Sequence, residues 1–447
     1  MKDWTQMERV PAPAIIPQFG PMSGVRVLIT GSIVAGPVAA TLLAEFGAEV
    51  IHVEMPGVGD ALRGQSPILT HGDEGAPFDF KVSPNEVPPD QKVSSAWMQE
   101  GRNKLSMTLR MDMRIPESKQ IFYGLIRNCD IWIENMVWLE KLGITDADIL
   151  AVNPKIVIAH VSGFGRPQFG GVPEQCDRPS YDPIGQSEGG WMYASGFPDG
   201  PPVYGNSFMN DYLSALFCCS GVLMAYINAQ KTGQGQVVDV AQVECMSRMM
   251  CDSFVNVFTI GLNKERAGNK VPIFQPANLF KSKDGYLYLG TFGIAVYTRA
   301  LNAMGIDPDK YPYEEAGGSR EAINSPLGLE LARVVDQWML EHTSEEGLAI
   351  FMKAKVPSGI PRTIKQITES EHYRSRGNFV TYKDETLGKD ITAFGFVPKM
   401  SRTKAMAWRG APKMGQDTET VLKSILGYND ADIAALRGKG AIDQVKK

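Results

Sequence analysis

At 447 residues the chain is long enough for two or three domains and for a large apolar core that needs no disulfide or metal staple. Its 43% hydrophobic and 21% charged residues are ordinary for a globular protein. A formal net charge of −5 excludes a generally basic nucleic-acid or membrane binder, although 45 Lys and Arg are enough to build a local patch.

In chain order, Met1–Gly20 carries charges and three prolines but no apolar signal core, so a cytoplasmic protein is expected. Val25–Thr30 (VRVLIT) reads as a buried strand. GSIVAGP then turns the chain into a helix over Val38–Phe46, Gly47 stops it, and Ala48–Glu54 is a second strand. Strand, helix, strand predicts a parallel pair. Met55–Ser95, rich in Gly, Pro and Asp and without a period, predicts a long surface loop. The alternation resumes with a strand at Lys104–Leu109, a helix at Ser118–Arg127, a strand at Asp130–Glu134, a helix at Asp146–Val152 and a strand at Ile156–Val161. This predicts an α/β chain whose large domain is Rossmann-like and doubly wound.

Gly163–Gly205 is loop-rich, and the longest helical pattern follows over Tyr212–Gln230. Val237–Val240 is a short strand and Glu244–Phe258 an apolar, Met-rich helix. A hairpin around Ser282-Lys-Asp-Gly joins Leu279–Lys281 to Tyr286–Thr291. Helices are expected at Ala295–Met304, Leu329–His342, Ser344–Ala354, Thr418–Ile425 and Asp430–Arg437. The expected domains are 1–235, the first part of the large domain; 236–355, a smaller α+β domain; and 356–447, a return to the large domain. No run of about 18 uninterrupted apolar residues appears, so no membrane span is expected.

The six cysteines show no CxxC pair and sit mostly in apolar helical contexts, as reduced small hydrophobes do. The five histidines are scattered without ligand spacing, so no metal site is expected. The turn Gly31–Pro37 lets the backbone approach a ligand at a helix N-terminus, yet its G-x-x-x-x-G-P spacing fits neither G-x-G-x-x-G nor a phosphate loop. Glu134-Asn135-Met136 ends a strand, and the carboxyl ends of parallel strands line the ligand crevice of such sheets. Lys104, beside Asn103, and Lys141 could meet phosphates as point charges. Asp211 precedes a long apolar helix. It reads first as an N-cap, and the same placement holds a carboxylate fixed for nucleophilic attack.

Taken together, the segments resemble the class III CoA-transferase (CaiB/BaiF) family over essentially the whole chain. The resemblance rests on MSGVRVLITGSIVAGPVAATLLAEFGAEVIHVE, GDALR, RNKLSMTL, DIWIENM, LGI, NPKIVIAHVSGFG, SYDPIGQSEGG, the ND at 210–211, TGQGQVVDVAQVE, KDGYLYL and WRGAPKMGQDT, in order. AHVSGFG, VDVAQ, AGNK and WRGAP look most like the carnitine and bile-acid CoA-transferase branch.

The resemblance implies that Asp211 is the nucleophile, passing through an aspartyl anhydride and an aspartyl-CoA thioester. It implies coenzyme A or acyl-CoA as substrate, held by Ile33, Val34, Ala35, Asn103, Lys104, Asn135, Met136 and Lys141. It also implies an interlocked homodimer, a carboxylic acid acceptor of carnitine/betaine or bile-acid type, and no metal, nucleic-acid or membrane partner. The amide of Gln186 is a candidate oxyanion donor, and Asp182 and Asp239 are candidate control carboxylates. Val34 stands where the formyl-CoA branch has Gln, which argues against an oxalate-type acid, and the Gly268 region lacks that branch's glycine run. The alternative is an acyl-CoA racemase or epimerase of the same superfamily. Its proton-shuttling histidine would fall near Tyr181, a poor shuttle for an α-proton.

Overall fold

The computed structural model describes residues 3–71, 78–81, 91–136 and 139–443, with backbone alone at 78–81. The chain divides into two compact units. The first comprises residues 1–191, 205–251 and 376–447, the second 192–204 and 252–375.

The first unit is built on six parallel strands: β1 (Arg26–Ile29), β2 (Glu49–Glu54), β3 (Lys104–Thr108), β4 (Ile131–Glu134), β5 (Val157–Ser162) and β6 (Gln236–Ala241). Their spatial order is β3-β2-β1-β4-β5-β6. The order reverses between β1 and β4, and such a switch point opens a crevice at the strands' carboxyl ends. Near-continuous apolar runs are what a parallel sheet covered on both faces requires. Alternate side chains feed two cores. Val27, Ile29, Ile131 and Ile133 pack with helix α1 (Ala35–Glu45) on one face. Leu28, Trp132 and Ile158 pack with helix α2 (Pro116–Asn128) on the other. The alanine-rich α1 buries Val38, Ala39, Ala40 and Leu43, and burying one such leucine contributes about 1.5–3 kcal/mol.

A 24-residue helix, α5 (Met209–Thr232), packs on α1 and on β5 and β6. By length and composition it could cross a bilayer, but Ala215, Cys218, Val222, Ala225 and Ala229 are buried in the sheet core. Its other flank exposes Leu216, Phe217, Met224 and Ile227. The segment after residue 375 returns to the first unit, where Val421, Leu422, Ile433 and Leu436 join the α2-side core.

In the second unit, an antiparallel sheet of Ala277–Lys281, Tyr286–Gly290 and Ser358–Gly359 is covered by helices Ile294–Ala303, Pro326–Glu341 and Ser344–Lys353. Leu289, Tyr297, Leu331, Val335 and Phe351 form its core.

Three expectations are corrected. The second unit comprises 192–204 and 252–375 rather than 236–355, and β6 belongs to the first unit, where it completes the sheet beside β5. The helix expected over Glu244–Phe258 is two, α6 (Gln242–Arg248) and Ser253–Ile260, broken where Cys251 takes φ +54°. Met55–Ser95 is not all loop. It holds a short helical turn at Ala61–Gly64 and the antiparallel strands Ile68–His71, Phe78–Lys81 and Lys92–Ser94; residues 72–77 and 82–90 of this stretch lie outside the described residues.

Candidate active site

A cavity of about 520 Å³ opens at the carboxyl ends of β1, β4, β5 and β6. Ser32–Ala35, Asn135, Met136, Ser162, Gly163, Arg166, Arg178, Tyr181, Asp211 and Gln242 line it. The structure thus brings together Ile33, Val34, Ala35, Asn135, Met136 and Asp211 from the sequence-derived candidates.

The turn after β1 is clamped from two sides. Asn135 accepts from the Ser32 N–H at 2.8 Å and donates back to the Ser32 carbonyl at 2.9 Å. Gly31 is required here, since a Cβ at that position would lie 2.3 Å from Asn135 Oδ1. Ile33 takes φ +73°, costly for a β-branched residue by about 1–3 kcal/mol. The Asp60 carboxylate offsets part of that cost by accepting the Ile33 N–H at 3.0 Å. No side chain caps the N-terminus of α1, whose residues Val34 and Ala35 face the cavity.

Asp211 lies in the first turn of α5 and is 6% exposed. It is not the cap. Phe208 stands at the N-cap in a left-handed conformation without a side-chain bond. The capping is done from outside by Asp182, at the start of helix α4 (Asp182–Glu188), which accepts from the Asn210 N–H at 2.6 Å and the Asp211 N–H at 3.2 Å. Asp182 is itself buried and is fixed by Gln186 Nε2 at 2.8 Å. Gly185 makes this approach possible, since a Cβ there would lie 1.7 Å from Asn210 Nδ2. Gln242, where β6 turns into α6, donates to Asp211 Oδ1 at 2.5 Å. Burial and the Asp182 charge push the Asp211 carboxyl up to about 7, against the Gln242 hydrogen bond, which lowers it. A buried carboxyl with one donor and one like-charged neighbour resists ionisation, and the anion it forms is weakly solvated and reactive.

Other expectations do not meet this geometry. Asn103 and Lys104 are fully buried and do not line the cavity. The Asn103 carboxamide donates to the Met406 carbonyl and accepts from the Trp408 N–H. Lys104 Nζ donates to the Pro37 carbonyl at 2.9 Å. Burial pulls the Lys104 pKa down to about 8, while Asp60, Glu100, Glu54 and Glu45 hold it up. A phosphate contact needs an exposed ammonium, so Lys104 is a counter-ion of the interior instead. Lys141 is exposed in the Glu140–Leu142 turn, away from the cavity lining. Gln186 is no oxyanion donor, because its Nε2 is bound to Asp182 and to the Gly205 carbonyl. Asp182 is no neutral control, since it touches the backbone of Asp211. Gln242, Asp60 and Arg166 were not singled out from the sequence; the position of Gln242 at a strand's carboxyl end was the available signal.

Comparison with known proteins agrees with this architecture. The model of the family described as CoA-transferase family III matches residues 22–418. The bile acid CoA-transferase BaiK of Clostridium scindens is 33% identical over 95% of this chain and 90% of its own length. The succinyl-CoA–D-citramalate CoA-transferase of Chloroflexus aurantiacus is 31% identical over 94% of this chain and 98% of its own. A CaiB/BaiF family protein from Brucella suis shares the fold, with a TM-score of 0.72 at 23% identity over 91% of this chain and all of that one. The chain belongs to CoA-transferase family III.

Proposed function

We propose that this enzyme moves coenzyme A from an acyl-CoA donor to a free carboxylic acid with Asp211 as the covalent nucleophile. The observation that carries the reading is Asp211 itself: a nearly buried carboxyl on the wall of the crevice, aimed by Gln242 and Asp182. The ionised carboxylate attacks the donor thioester carbonyl, giving a mixed anhydride and CoA thiolate. The thiolate attacks the aspartyl carbonyl, giving aspartyl-CoA and releasing the donor acid. The acceptor carboxylate attacks aspartyl-CoA, giving a second anhydride and thiolate. Attack of that thiolate on the acceptor's carbonyl yields the new acyl-CoA and frees Asp211. Covalent catalysis divides one difficult exchange into easier ones. The uncapped first N–H groups of α1 suit the negative oxygens of CoA or of a tetrahedral intermediate.

The acceptor follows from the relatives only as a class. One acts on bile acids by its name, and others pair succinyl-CoA with citramalate or malate. A bile acid or a carnitine-type acid and a small dicarboxylate are the acceptors to compare. An exposed apolar stripe along α5, Leu216, Phe217, Met224 and Ile227, is larger than a solvated helix face needs. It supports a homodimer, and a stable monomer in sedimentation at micromolar concentration contradicts that assembly.

The test of the nucleophile is Asp211→Asn. Shape and helix contacts are retained, while transfer falls by at least about a thousandfold, the order seen on removing a covalent catalytic group. A variant with substantial activity removes Asp211 from the mechanism. The racemase alternative predicts α-proton exchange without an acceptor acid, which deuterium incorporation from solvent reads directly.

A further inference from the structure

Arg166 was not among the sequence-derived candidates, yet it is held in the cavity by a buried network. It follows β5, and its Nη2 donates to Glu134 Oε1 at 2.6 Å and to the Met136 carbonyl at 2.8 Å. Its backbone N–H donates to Asp239 at 3.1 Å, three residues before Gln242. The backbone of Arg166 is thus tied to β6 while its guanidinium reaches the end of β4, on the wall of the same crevice as Asp211 and Gln242. Glu134 is fully buried at the end of β4, and the same Oε1 accepts from His160 Nδ1 at 2.5 Å. His160 Nε2 contacts Asp146 at 2.9 Å. An imidazole set between two carboxylates donates from both nitrogens and is therefore held protonated, and the Glu134 oxygen is shared by two cations.

The guanidinium is consequently fixed through one nitrogen alone. Its side chain is 11% exposed, and the buried Nε has no hydrogen-bond partner among the described residues. Nη1 likewise makes no hydrogen bond or ion pair among the described residues. An arginine presents five donors in a planar fork that matches carboxylate, and a buried donor without a partner costs stability unless something binds it. Arg178, the other arginine on the cavity wall, is already paired with Glu188 and stacked on Phe164.

We propose that Arg166 binds a carboxylate of the substrate acyl group remote from the reacting carbonyl, and so selects dicarboxylic acids. Glu134 and, behind it, His160 act as positioning residues for that guanidinium. The inference rests on the transferase reading and deepens it. It commits to the acyl group because Arg166 shares one cavity wall with Asp211 and Gln242, and the free-CoA measurement below reads the alternative source of the anion.

The test compares Arg166→Gln and Arg166→Lys with the unaltered enzyme. Donors are succinyl-CoA and acetyl-CoA, acceptors malate and a monocarboxylic acid of similar size, and binding of free CoA is measured alongside. The expected result is a loss of roughly a hundredfold in kcat/KM for the dicarboxylate substrates in Arg166→Gln, as for removal of a charge-assisted hydrogen bond. Acetyl transfer and CoA affinity stay within a few-fold. Because the readout is a ratio within one preparation, a partly unfolded variant does not mimic it. Equal loss for all acyl-CoAs together with weakened free CoA assigns the anion to CoA and overturns the proposal, as does an unchanged ratio. A His160→Gln variant is expected to reproduce the same selective rise in KM in weaker form. If the unaltered enzyme transfers CoA to no acid at all, the transferase reading fails first, and the two failures are thereby distinguished.

Discussion

The Asp182 carboxylate accepts the backbone N–H of Asp211 at 3.2 Å, so the group that caps helix α5 is also the like charge that raises the Asp211 carboxyl. One side chain therefore holds the backbone of Asp211 in place and, together with burial, makes its carboxyl harder to ionise.

The first prediction is a pH profile. In the proposed mechanism the attacking species is the carboxylate, and burial with Asp182 holds the Asp211 carboxyl at about 7 against Gln242. In the free enzyme kcat/KM should rise through about pH 7 and level off above it. Asp182→Asn keeps an oxygen for the helix N–H groups and removes the charge, so the acid limb should move to lower pH. Gln242→Ala removes the donor that favours the anion, so the limb should move to higher pH. Rate profiles of the three proteins check this, and coincident limbs contradict it.

The second prediction concerns stability. A carboxyl raised from 3.8 to about 7 binds its proton more tightly in the folded chain than in the unfolded one. Between those values the folded state holds more protons, so this contribution falls as pH rises from about 4 to 7 and is flat above. Ionisation within the fold costs at most about 4 kcal/mol at 1.36 kcal/mol per tenfold change. Asp211→Asn should therefore be the more stable protein above pH 7, with the difference shrinking towards pH 4. Urea denaturation at both pH values measures it.

The third prediction separates a binding lysine from a buried one. Lys104 is the interior cation facing Asp60, Glu100, Glu54 and Glu45. Lys104→Met removes that charge and leaves the Pro37 carbonyl without its donor, and a buried acceptor left unpaired costs about 1–3 kcal/mol. Melting should drop clearly, while the KM for acyl-CoA of the folded fraction stays near that of the unaltered enzyme. An unchanged melting curve with a raised KM restores the phosphate-binding role.

Much of the large unit was legible because its chemistry is local. VRVLIT, IWIE and KIVIAHV are apolar runs punctuated by turns, and they became β1, β4 and β5. The helix expected at Asp146–Val152 is observed with those bounds. What failed was decided by residues far apart in sequence. The cap of α5 comes from Asp182, 29 positions before Asp211, so a cap rule read along the chain chose the wrong residue. Lys104 in a strand reads as a surface charge until its scattered counter-ions are folded around it. Arg166 stands in a glycine-rich stretch with no period, and only the pairing of Glu134 with His160 across β4 and β5 shows why it is fixed.

The central claim, a covalent intermediate on Asp211, is tested most directly by peptide mass spectrometry. The protein is incubated with acyl-CoA and then with hydroxylamine, which captures an activated acyl group as its hydroxamate. The account predicts a hydroxamate on Asp211 that forms only when acyl-CoA is present and is missing from Asp211→Asn. A mark on another carboxylate, Asp182 or Asp239 above all, or undiminished CoA transfer with no mark on Asp211, would contradict it.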